Sequence, residues 1–158
     1  AKNENASAYH YMTKVKESDP LSCRQNFVLF ITDGEANGPG DSGCTDKKCS
    51  AADPEAAGCT CRVVRAAWEL RKQGVNTFVV GFSTDTASGN AKVINDNVAK
   101  AGGTDQDGDG KAPFAFSATN EAELEAAIQG AIYDAVRGSY STSPATSSSG
   151  VQMPGQIK

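Results

Sequence analysis

The sequence is poor in the residues on which several kinds of site depend. It has one histidine, His10, so a Ser-His-Asp or Cys-His mechanism would have to use that residue, which lies in a polar N-terminal stretch. Its 15 Lys and Arg residues are outnumbered by 19 Asp and Glu residues, and the net charge is −4. With no basic cluster, this balance argues against a nucleic-acid partner. No apolar run approaches the roughly 20 residues of a membrane span.

Cysteine, by contrast, is abundant. The 158 residues include five cysteines, four of them in one polar loop: Cys23, Cys44, Cys49, Cys59 and Cys61. This density predicts a secreted or cell-surface protein whose loop is closed by disulfides. Because the number of cysteines is odd, one of them is either a free thiol or forms a disulfide with a cysteine outside this chain.

The sequence does not determine how the cysteines pair. Cys44 with Cys49 is the easiest pair, whereas a Cys59–Cys61 bridge would be strained, and Cys23 can reach one of the others. Zinc held by four thiolates is an alternative, although the spacing is not that of a usual zinc knuckle.

Helical and strand-like segments alternate along the chain. Apolar, β-branched and aromatic runs predict strands, and apolar residues at helical spacing predict helices. The predicted strands are 26–32, 75–82 and 113–117, and the predicted helices are 8–18, 54–73, 90–101 and 121–137. Such alternation indicates an α/β fold with a parallel sheet, strands buried on both sides and helices on both faces. Three strands leave an exposed edge, so we expect the N-terminal strands of this sheet to be missing.

Asp33 follows the most apolar strand, in the stretch NFVLFITDGEANG (26–38). Ligands of open α/β sheets bind at the carboxyl ends of the strands, so a carboxylate at this position would be held rigidly at the mouth of a crevice. One hard oxygen ligand there suits Mg²⁺. The simpler alternative is that Asp33 only accepts N–H groups of its own loop.

The stretch FVLFITDGEANG closely resembles the T-D-G-E motif after the fourth strand of von Willebrand factor A (vWA) domains, which have a Rossmann-like sheet. GVNTFVVGFS resembles the next strand of that family, and the passage from NDNVAKAGG to FAFSATNEAELEAAI resembles its closing elements. The resemblance covers 23–137. It implies a helical lead-in at 1–22, the C-terminal portion of a vWA domain at 23–137, and a Ser/Thr/Pro-rich linker or tail at 138–158.

The resemblance implies a metal-ion-dependent adhesion site that holds Mg²⁺ or Mn²⁺. Of its three motifs, only the aspartate of T-D-G maps onto this chain, as Asp33. D-x-S-x-S is absent, and the middle-loop threonine would fall at or before Ala1; Thr13 is too close to the motif. The site is therefore expected to be incomplete here, its other ligands lying upstream or on another polypeptide.

A second acidic motif lies near the end of the domain. Asp105, Asp107 and Asp109, followed by Gly110, fit the D-x-D-x-D-G opening of a calcium loop. A complete EF-hand loop ends in Glu, and this chain has Phe116 at that position. The alternatives are a weak Ca²⁺ site and a solvated polar loop.

These features predict an extracellular adhesion or protein-binding module, not an enzyme. In the family, an acidic side chain of the partner fills an open position on the metal, and loop 34–61 would here form the rim around it. The cysteine-rich loop and the exit YSTSPATSSSG resemble PilY/PilC-type adhesins at the tips of bacterial type IV pili. Partners would be a surface receptor, the missing half of the domain or other pilus subunits. The alternatives are a force-bearing spacer of a surface filament and a thiol-redox enzyme using Cys59 and Cys61.

Overall fold

The computed structural model describes residues 26–34, 43–84, 86–105 and 109–140, with the side chains of 137–140 left out. Its elements confirm the α/β fold. Three parallel strands lie in the order β1, β2, β3: β1 (Asn26–Thr32), β2 (Val75–Phe82) and β3 (Phe116–Ala118). The helices are α1 (Arg62–Lys72), α2 (Gly89–Ala101) and α3 (Glu121–Tyr140). The lead-in 1–22, with its predicted helix 8–18, and residues 141–158 of the predicted tail lie outside the described residues.

Strand β2 is the centre of the sheet. It pairs with β1 along its length, from Asn26 opposite Val75 to Thr32 opposite Gly81, and with β3 near its end. Successive side chains of a strand point to opposite faces. Val79 accordingly packs in a core with residues of α1 and α2, whereas Phe78 packs with α3. The described chain therefore has helices on both faces of the sheet, as predicted.

Strand β1 is more exposed than the sequence predicts. Phe27, Phe30 and Ile31 retain 45%, 37% and 48% of their accessible surface. The prediction that β1 is buried on both faces is wrong for the described residues, because the main helix contacts among them are with β2 and β3. Within that part of the chain, β1 is also an edge strand with a neighbour on one side only.

The first described helix is shorter than predicted. Asp53 does cap a turn, since its Oδ1 accepts a hydrogen bond from the N–H of Ala56 at 2.9 Å. That turn ends at Gly58, whose φ of 76° lies in the left-handed region. A separate helix, α1, then begins at Arg62. The predicted 54–73 helix is therefore two separate pieces.

The later elements agree more closely with prediction. Helix α2 begins one residue earlier than predicted, β3 is shorter, and α3 extends to Tyr140, into the predicted tail. One half of the predicted capping box is present at the start of α3, where the Glu123 N–H donates to Asn120 Oδ1 at 3.0 Å. The Glu123 carboxylate accepts from the N–H and hydroxyl of Thr119, both at 2.8 Å.

Two nested disulfides close the cysteine-rich loop. Cys44 pairs with Cys61, and Cys49 pairs with Cys59 inside it. The Cys44–Cys49 pair, the easiest one by spacing, does not form, and four oxidised sulfurs leave no thiolates there for zinc. Cys59 and Cys61 also belong to different bridges and form no redox pair with each other. Cys23 lies outside the described residues.

The four half-cystines of the cysteine-rich loop are part of the hydrophobic core and do not lie at the surface. All four half-cystines are at most 4% exposed and pack with residues of α1, α2 and β2. The loop is also fixed to α2, because the buried Asn97 Nδ2 donates to the carbonyl of Cys44 at 2.8 Å. The bridges therefore hold the layer that covers one face of the sheet.

Candidate metal and partner-binding site

Asp33 is located where the sequence predicts, directly after the last residue of β1. The side chain is exposed. The chain turns here, with the hydroxyl of Thr32 donating to the carbonyl of Gly34 at 3.2 Å. The strand thus fixes the position of Asp33, and the turn presents its carboxylate to solvent.

The loop after β2 fixes the main chain of Asp33. Ser83 Oγ donates to the Asp33 carbonyl at 2.9 Å, a bond between residues 50 positions apart. Ser83 is itself held by Thr86: the Ser83 N–H donates to Thr86 Oγ1 at 3.0 Å, and that hydroxyl donates back to the Ser83 carbonyl at 2.9 Å. The carboxyl ends of β1 and β2 are therefore joined through hydroxyl groups.

Ser83 and Thr86 belong to the candidate site, and the sequence analysis missed them. The polar turn STDT after the second strand could have indicated them, because Ser and Thr side chains commonly form hydrogen bonds with nearby backbone groups in turns. Nothing in the spacing, however, connects that turn to Asp33. Only the pairing of β1 with β2 brings the two loops together.

Among the described residues, Asp33 is the one candidate ligand for the predicted divalent metal site. No hydrogen bond or ion pair of the Asp33 carboxylate is found among them, and they contain no group of three His, Cys, Asp or Glu side chains able to hold an ion. One carboxylate is a suitable ligand for Mg²⁺ or Mn²⁺, but it is not a site. A cluster of three carboxylate, imidazole or thiolate ligands would have to include residues outside the described ones, where Glu35 also lies.

The acidic loop is far from Asp33. It follows α2, and Thr104 beside it donates to the carbonyl of Thr77, near the start of β2, at 2.7 Å. Asp105 accepts the N–H of Gly110, and Asp109 accepts the N–H of Lys111, both at 2.7 Å. Asp107 lies outside the described residues. The two described carboxylates support their own loop, and calcium binding stays a prediction.

One part of the cysteine-rich loop, at Ser50, lies away from Asp33. Lys100, in the last turn of α2, donates to the carbonyl of Ser50 at 2.7 Å. The end of α2 adjoins the start of β2, since the Thr77 N–H donates to the carbonyl of Gly102 at 3.0 Å. Ser50 therefore lies at the opposite edge of the sheet from Asp33. The expectation that loop 34–61 forms a rim around Asp33 stays a prediction for the rest of the loop.

The pKa shifts found among the described residues also lie away from Asp33. Hydrogen bonds to Glu55 and Glu69 raise the pKa of Lys72. Hydrogen bonds from Thr119 lower the pKa of Glu123, with a further contribution from Asn120. These groups are exposed and are explained by helix contacts, so they do not indicate a second reactive centre.

None of the helices in the described part of the chain combines the length and apolar character that a membrane span requires. Comparison with protein-family models, with curated proteins and with solved structures gave no match to this chain.

Proposed function

We propose that this chain is the C-terminal portion of an extracellular vWA-type module that binds a protein partner at the carboxyl edge of its sheet. The observation that carries the proposal is the placement of Asp33, exposed at the end of β1 and fixed through its carbonyl to Ser83. The parallel sheet and its T-D-G turn are consistent with the sequence resemblance, and the disulfides fit an oxidising environment.

The contribution of this chain is to position one carboxylate. Because Asp33 directly follows a paired strand and its carbonyl is bonded to a second loop, its main chain is already fixed before binding, which lowers the entropy lost on binding. A divalent cation held there with ligands from elsewhere would supply positive charge that an acidic partner side chain can share. Attribution to a PilY/PilC-type pilus-tip adhesin is proposed on the sequence resemblance alone.

Paramagnetic Mn²⁺ tests the metal part of this proposal. In amide NMR spectra of the full chain, we expect Mn²⁺ to broaden the signals of Gly34 and Ser83, and Asp33→Ala should remove that broadening. Asp109→Asn, which removes a carboxylate charge at the opposite edge, should leave it unchanged. Broadening of Gly34 and Ser83 that persists in Asp33→Ala would show that Asp33 holds no ion.

Adhesion is tested separately. Beads coated with the wild-type chain should be retained on a layer of cultured epithelial cells more strongly than beads coated with Asp33→Ala, and a chelator should remove the difference. Equal retention would favour the alternative, a force-bearing spacer of a surface filament. The observation behind that alternative is the pair of nested disulfides buried in the core, since they limit how far residues 44–61 can be extended.

A further inference from the structure

A cleft of about 320 Å³ opens at the edge of the sheet opposite Asp33. Two cations line it, Arg71 from the last turn of α1 and Lys100 from the last turn of α2, together with the ring of Phe114 and the carboxylate of Asp105. Cavities that hold small ligands begin at roughly this volume and combine an apolar wall with a few polar groups.

Both cations are held in place by uncharged groups. The Arg71 guanidinium lies 5.6 Å from the centroid of the Trp68 ring and donates to the carbonyl of Lys100 at 3.3 Å. The Lys100 ammonium lies 5.3 Å from the centroid of the Phe114 ring and donates to the carbonyl of Ser50 at 2.7 Å. Within the described part of the chain, neither cation is within ion-pair distance of a carboxylate.

Gly103 makes room for the first of these cations. A Cβ atom at Gly103 would lie 2.8 Å from Arg71 Nε, and the φ of 79° there favours glycine. The Arg71 side chain therefore lies across the main chain that follows α2. Basic residues at the ends of two helices are favoured by the helix dipoles, which explains part of the positive charge. The hydrogen bond to the Lys100 carbonyl holds the Arg71 side chain in its position across Gly103, where it lines the cleft.

We propose that this cleft binds an organic carboxylate that carries an apolar body. The carboxylate lies between Arg71, whose planar fork matches it, and Lys100, and the apolar body packs on Phe114. With Asp105 opposing the two cations, the lining carries one net positive charge, which favours a monoanion over phosphate. This site is independent of the proposed contact at Asp33.

The probe is phenylacetate, titrated into the full chain and followed by NMR shifts of the Gly103 and Phe114 amides. We expect a dissociation constant of about 1 mM, given the small size of the probe. Arg71→Gln and Lys100→Gln should each weaken binding about tenfold, the usual effect of losing one charge-assisted hydrogen bond. The matched control is Lys72→Gln, which removes one charge from the same helix end, outside the cleft, and should change binding less than about twofold.

Two further measurements keep the proposal testable if a variant unfolds. On the wild-type chain, 2-phenylethanol has nearly the same shape without the charge and should bind at least about tenfold more weakly than phenylacetate. Added salt should weaken the binding of phenylacetate. The proposal is overturned if inorganic phosphate binds more tightly than phenylacetate, if the alcohol binds equally well, or if Lys72→Gln has the same effect as Arg71→Gln.

Discussion

The nested disulfides should supply a large share of the stability of this chain. Cys44–Cys61 closes a loop of sequence separation 17, and Cys49–Cys59 closes one of 10. A disulfide that closes a loop of this length restricts the unfolded chain. Considered alone, each bridge therefore raises the free energy of unfolding by about 3 kcal/mol. The inner bridge lies within the outer loop, so the two contributions will not add fully. Domains of this size are stable by only about 5–15 kcal/mol.

We therefore expect Cys44→Ala with Cys61→Ala to lower the free energy of unfolding by about 3 kcal/mol. Replacing Cys49 and Cys59 by alanine instead should lower the free energy of unfolding by somewhat less, because their loop is shorter. Urea unfolding can be followed by the fluorescence of Trp68, the sole tryptophan, which packs against the core that contains the bridges. A reducing agent should lower the midpoint of the wild-type chain and leave that of the variant lacking all four cysteines unchanged.

Two results would refute this reasoning. One is a peptide map of the oxidised chain in which Cys44 is joined to Cys49. The other is a loss smaller than about 1 kcal/mol in the variant without the outer bridge, because the unfolded chain would then gain almost no freedom from opening that loop.

Two further predictions concern the cap of α3 and the end of β2. The lowered pKa of Glu123 contributes stability above its ordinary value of 4.5, and this contribution is lost as the pH falls through the lowered pKa. The difference in the free energy of unfolding between wild type and Glu123→Gln should thus shrink on acidification. A difference that does not change with pH would contradict this prediction. Gly81→Ala would place Cβ 2.6 Å from Thr86 Cβ, and we expect a loss of about 2 kcal/mol. Gly34→Ala, whose Cβ meets no atom of the described residues within 4 Å, is the control and should change stability by less than about 0.5 kcal/mol in the same urea assay.

Much of the fold could be predicted because its signals are local. The bounds of the strands 26–32 and 75–82 follow from runs that are mostly apolar, β-branched or aromatic, and the start of α3 follows from its Asn120 cap. The predicted helix 54–73 failed because a good local start at Asp53 was ended by Gly58 within a loop that two disulfides close. The pairing of cysteines is set by the path of the chain in three dimensions, which spacing does not encode.

The burial of β1 could not be predicted for a similar reason. An apolar run shows that a strand is suited to burial, but not whether the covering elements are present. Position within the sheet decides this: β2 has neighbours on both sides and helices on both faces, whereas β1 has a neighbour on one side among the described residues. The same sequence pattern therefore gave a buried strand in one case and an exposed edge in the other.

The exposed edge of β1 bears on the proposed ion site at Asp33. An edge strand that carries Phe27, Phe30 and Ile31 in contact with solvent invites pairing with another strand. A strand that paired in parallel with β1 would end beside Asp33, because the carboxyl ends of parallel strands meet at one edge of a sheet. Covering the edge would thus also bring new side chains to the carboxylate. On the proposed vWA arrangement, the polypeptide that stabilises β1 is the one that completes the site, so metal affinity and the burial of Phe27 and Ile31 should rise together when that polypeptide is supplied.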